Sequence, residues 1–66
     1  MKDLYIARDF SGALWLYDHK PELIDGNTYG FKKNNYTYHA IRLDDSLFPE
    51  VTFEMGPVRV MLKLEE

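Results

Sequence analysis

Val58, Val60, Leu62 and Leu64 alternate with Arg59, Met61, Lys63 and Glu65 near the end of the chain. Side chains along an extended strand point to opposite faces in turn. This pattern therefore predicts a strand with one apolar face against a core and one face in water. It constrains the fold strongly because the chain has only 66 residues and no cysteine. No disulfide or thiolate-bound zinc can staple so small a domain, so its sheet must bury enough apolar surface on its own or by pairing with another copy. Leu, Ile, Val and Phe together supply 18 of the 66 residues, enough to lift the chain out of the disordered range. Five Tyr and one Trp add contact area.

The rest of the chain keeps the same rhythm, with turn signals every eight to twelve residues, and reads as one domain over 1–66. Leu4 to Ala7 and Ala13 to Tyr17 are strand-formers on either side of an Asp9-Phe10-Ser11-Gly12 turn, which predicts a hairpin. Both faces of the second strand are apolar, so it should be central or covered on both sides. Glu22-Leu23-Ile24 leads into an Asp25-Gly26-Asn27 turn, and Thr28 to Lys32 forms a short strand. Gly30 within it implies a bulge or a close neighbour. Lys33-Asn34-Asn35 reads as a further turn, and Tyr36 to Leu43 as a strand. Asp44 or Asp45 caps one short helical turn near residues 45–48, ended by Pro49, with Leu47 and Phe48 folded over an open end of the sheet. Val51 to Met55 then reads as a strand with Val51, Phe53 and Met55 inward. The expected class is mainly β: a small, curled antiparallel sheet of four to six strands, for which an SH3-like half-barrel is one arrangement.

Composition narrows the function. The net charge of −3 disfavours nucleic acid, whose phosphates call for an excess of Lys and Arg. No stretch has the length and apolarity of a membrane span, and no signal-peptide pattern opens the chain, so the cytoplasm is the expected compartment. Glycine-rich phosphate loops and hydrolase or zinc-protease signatures are missing, and no cofactor or metal is expected. His19 and His39, the two histidines, suit acid–base cleavage of RNA in principle, but nothing in their spacing brings them together. Asp44, Asp45 and Glu50 read as capping and solvated charge rather than a cation loop. Asn35-Tyr36-Thr37 matches the N-glycosylation sequon, read as a chance match.

What remains is an abundance of aromatic residues and exposed sheet edges. This favours a small non-enzymatic interaction module that binds a protein partner or a second copy of itself. Its expected surface is Trp15 and Tyr17 with the hairpin carrying Tyr29, Phe31, Lys32, Lys33, Tyr36 and Tyr38. The same lysines and rings, Trp15 and Tyr17 apart, support the alternative of a single-stranded nucleic-acid binder. A histidine-dependent ribonuclease is the third reading.

Asp3-Leu4-Tyr5-Ile6-Ala7-Arg8-Asp9, Gly12-Ala13-Leu14-Trp15-Leu16-Tyr17 and Leu47-Phe48-Pro49-Glu50-Val51-Thr52-Phe53-Glu54 resemble segments of small uncharacterised proteins of gut bacteria and their mobile elements or phages. The resemblance spans about half the chain and implies a compact accessory protein without an assigned activity.

Overall fold

The structure, a computed structural model, describes residues 3–32 and 37–61. Those residues form six strands and no helix: β1 (Asp3–Arg8), β2 (Leu14–Tyr17), β3 (Glu22–Leu23), β4 (Tyr29–Gly30), β5 (Ala40–Leu43) and β6 (Val58–Met61). Four make one antiparallel sheet in the order β5-β2-β1-β6, and β3 and β4 make a separate two-stranded hairpin. The expected β1–β2 hairpin is present, with Ile6 opposite Leu16 and Ala7 opposite Trp15. Its turn closes through Asp9 N–H to the Ala13 carbonyl, and Gly12 takes the left-handed φ of 99° that the tight reversal needs.

Register sorts the sheet into two faces. Leu4, Ile6, Leu14, Leu16, Ile41, Leu43, Val58 and Val60 lie on one. Ile6, Leu14 and the loop residue Val51 are its buried centre, with Leu16, Leu43, Val58 and Val60 packed around them. The alternation of Val58 and Val60 thus faces the core as read; Leu62 and Leu64 lie outside the described residues. Tyr5, Ala7, Trp15, Tyr17, Ala40 and Arg42 lie on the other face; Ala7 and Tyr17 are buried there, and the Tyr17 hydroxyl reaches the β3–β4 hairpin at the Tyr29 carbonyl. Covering a strand on both faces is what the apolar residues on both sides of β2 require.

The loop 44–51 is held by one side chain. Arg8 leaves the end of β1 and uses all five of its guanidinium N–H groups. Nε donates to the Val51 carbonyl at 2.7 Å, Nη1 to Gly12 and Asp45, and Nη2 to Leu47 and Phe48. The expected helical turn is present as a single reversal in which Leu47 N–H reaches the Asp44 carbonyl. Asp44 caps it, accepting from both the N–H and the hydroxyl of Ser46. Phe48 ends it at φ 48°, a left-handed conformation rare for a large residue. Backbone strain of this kind costs on the order of 1–3 kcal/mol and persists only where neighbours impose it; here Arg8 and the Val51 N–H both hold the Phe48 carbonyl.

Four expectations need correction. Val51 to Met55 is not a strand: Val51 is buried, but Met55 is 55% exposed. The Phe53 carbonyl accepts from Gly56 N–H and from the Tyr29 hydroxyl, so a turn has taken the acceptor that a ladder would use. Leu47 and Phe48 do not plug an open end; both are nearly half exposed, and Val51 does the sealing. The strand expected over Tyr36 to Leu43 begins only at Ala40, because the Asp18 carboxylate captures the His39 N–H that a longer ladder would need. The Thr28 to Lys32 strand is likewise shortened to Tyr29–Gly30. Gly30 does have its close neighbour: a Cβ there would meet Ile24 Cδ1 at 3.1 Å. The turn expected at Lys33-Asn34-Asn35 lies outside the described residues.

Arg8→Lys leaves one ammonium to serve five carbonyls. It should lower the unfolding free energy by about 3 kcal/mol, measured by urea denaturation, since several acceptors lose their donors together.

Candidate functional site

Three places concentrate chemistry. The first is a cleft of about 190 Å³ between the large sheet and the β3–β4 hairpin, lined by Asp9, Trp15, Tyr17, Tyr29 and Phe31, with Thr28, Gly30 and Ala40. Asp9 extends the β1 alternation onto the face of Tyr5 and Ala7. It is 8% exposed, and its Oδ1 accepts the Tyr29 N–H at 2.9 Å. Tyr17 donates its hydroxyl to the Tyr29 carbonyl at 3.1 Å and meets Phe31 edge-on, with centroids 5.5 Å apart. Burial, with the charge of Asp9 adding to it, pushes the Tyr17 phenol well above its ordinary pKa. The Arg42 guanidinium lies 5.8 Å from the Trp15 ring centre and is tied off by both oxygens of Asp45.

The second place is the Asp18 carboxylate at the end of β2. Both histidines converge on it: His19 Nδ1 lies 2.9 Å from Oδ1 and His39 Nδ1 lies 3.1 Å from Oδ2. The fold therefore joins two residues that their sequence spacing kept apart. The His19 ring stacks on Tyr38 at 3.9 Å, and Phe31 meets Tyr38 at 5.0 Å. Desolvation pushes the Asp18 carboxyl upward, but the His39 N–H and the two imidazoles outweigh it and hold the pKa well below the usual carboxylate range. Among the described residues no group of three His, Cys, Asp or Glu is arranged to hold a metal.

The third place is the apolar face of the sheet. Beyond its sealed centre, Leu4, Ile6, Leu16, Leu43, Phe48 and Val60 line a groove of about 350 Å³. A smaller one of about 200 Å³ continues past Leu4 and Leu16 to Ile41 and His39. Ile41 is 60% exposed and Phe48 45% exposed.

The expected interaction residues are scattered over these places. Tyr17 is 2% exposed, which removes it from any free surface; its ring is wedged between the sheet and the hairpin and serves as a wall. Trp15, Tyr29 and Phe31 are half-buried around the same cleft, Tyr38 is half-buried against His19, and Lys32 is exposed. Lys33 and Tyr36 lie outside the described residues. Phe31 and Tyr38 spend contact on each other and on Tyr17 and His19, while Tyr29 packs on Phe53. In the sequence Asp9 reads only as a turn residue. Its place two positions beyond Ala7 on the alternating face was the available signal. No described helix is long and apolar enough to cross a membrane. Comparison with family models, curated proteins and solved structures finds no match to this chain.

Because the folded-state pKa of Asp18 is depressed, its contribution to stability is full above the ordinary carboxylate pKa of about 4 and is lost as pH falls below it. Asp18→Asn should therefore destabilise the protein at neutral pH. The gap to wild type should narrow steadily below about pH 4, followed by thermal melts across that range.

Proposed function

We propose that the chain is a small interaction module that pairs with a second copy of itself through the apolar face of its sheet. The observation that carries this reading is the exposure of Ile41 and Phe48 beside half-buried Leu4, Leu16, Leu43 and Val60, with no second sheet packed over them among the described residues. Small domains bury a sheet's apolar face against a second layer. Here the hairpin supplies that layer on one side only.

Charge favours a like partner. The chain carries a net charge of −3, so two copies repel unless the meeting surface is neutral. Within the strands the face carries one charged side chain, Arg8, whose guanidinium is fully occupied by carbonyls, and Asp18, at the far end of the smaller groove, is met by both histidines. Shape favours it too. Phe48 is held at the rim of the 350 Å³ groove, and a two-fold axis would place each ring over the groove of the other copy. The two large sheets would then stack about 10 Å apart as a sandwich, with a hairpin on each outer side.

Sedimentation equilibrium is the test. Wild type should be dimeric in the micromolar range, and Ile41→Lys, which buries an unpaired charge only in the dimer, should weaken association about 100-fold while leaving the monomer folded. A wild-type protein that stays monomeric at about 0.5 mM ends the proposal.

A further inference from the structure

We propose that the cleft on the opposite face of the sheet binds a small organic cation, specifically a methylated ammonium group, with Asp9 as counter-ion and Trp15, Tyr17, Tyr29 and Phe31 as walls. The argument starts from Asp9. It is nine-tenths buried, and among the described residues the Tyr29 N–H is the one donor to its carboxylate. Among the described residues no cation pairs with it. Arg8 is spent on carbonyls, Arg42 on Asp45, Arg59 lies 3.8 Å from Asp3, both histidines face Asp18, and Lys20 and Lys32 are exposed. A carboxylate removed from water is costly unless a positive charge meets it. The cleft that Asp9 lines offers the space for one.

The walls select the kind of cation. Aromatic rings present negative faces, and groups of them hold quaternary ammonium ligands. Tyr17 and Phe31 stand at 84° to one another, so they form adjacent walls rather than a stack. Trp15 already holds one cation near its ring, the Arg42 guanidinium. A hard metal ion would need several oxygen ligands, whereas the cleft offers one carboxylate among rings. A methylated ammonium is weakly hydrated, carries its charge on an apolar surface, and needs no hydrogen-bond acceptors beyond the counter-ion. The volume of about 190 Å³ is below that of a site for a drug-sized ligand and suits a head group whose remainder leaves through the open side. Self-pairing uses the other face of the sheet, so the two proposals stand or fall separately.

The test compares choline with its neutral isostere, the alcohol in which carbon replaces the charged nitrogen, by NMR titration of the whole protein. Choline should give saturable shifts at the Trp15 indole and the Tyr29 amide, and the isostere should bind at least about tenfold more weakly. Asp9→Asn keeps an oxygen for the Tyr29 N–H; it should cost choline about tenfold in affinity and leave the isostere unchanged. Equal binding of choline and isostere to wild type overturns the proposal, since the cleft would then be merely apolar. So does an unchanged wild-type spectrum at about 50 mM choline. The wild-type comparison needs no variant, so a misfolded Asp9→Asn protein would leave the test intact.

Discussion

Five carbonyl oxygens from two loops converge on the guanidinium of Arg8, and the rest of the fold depends on that convergence. The segment between β5 and β6 has no regular structure of its own with which to satisfy its backbone. A planar donor with five fixed N–H groups substitutes for a ladder there. Because the loop is pinned, Val51 enters the core between Ile6 and Leu14, and β6 is delivered to the free edge of β1. The same contacts hold Phe48 in a strained conformation on the apolar face. One side chain thus ties core closure to the shape of the surface through which the protein is proposed to pair.

The two faces of the sheet solve the same problem differently. On one, the hairpin brings Tyr29 and the Phe31 ring onto Tyr17, and Tyr17 and Phe31 meet edge-on beside the cleft instead of stacking. On the other, a single loop residue completes the buried cluster and the remaining apolar residues stay partly wet. The polar groups near the first face are shared out with economy. Asp9 joins strand to hairpin through Tyr29, and Asp18 joins the end of β2 to the start of β5 through His39.

Strand content was legible wherever local pattern and burial agreed. The β1–β2 hairpin follows from its strand-formers and Gly12, and β6 follows from the alternation of Val58 and Val60. Val51 to Met55 alternates just as cleanly and is not a strand. There, the Tyr29 hydroxyl and the Gly56 turn claim the Phe53 carbonyl, and neither is visible from spacing. Arg8 reads as a strand-end charge, and nothing local reveals that four of its five partners lie some forty residues on. The aromatic residues of the cleft were recognisable as a set, but their roles were not. Tyr17 became a wall rather than a contact, and the buried acid beside it passed for a turn. Convergence of His19 and His39 on Asp18 depends on β2 pairing with β5, which no motif announces.

One edge strand of the large sheet, β6, pairs with β1, so the first and last described strands are neighbours and Asp3 faces Met61. A ribosome emits β1 some fifty residues before β6. The β1–β2 hairpin can form early, but its free edge and the apolar residues beside it must wait for the closing segment. Sheet completion is therefore a late, non-local event. During that interval the nascent chain exposes an unpaired strand edge, the feature that folding chaperones and unwanted strand pairing both exploit.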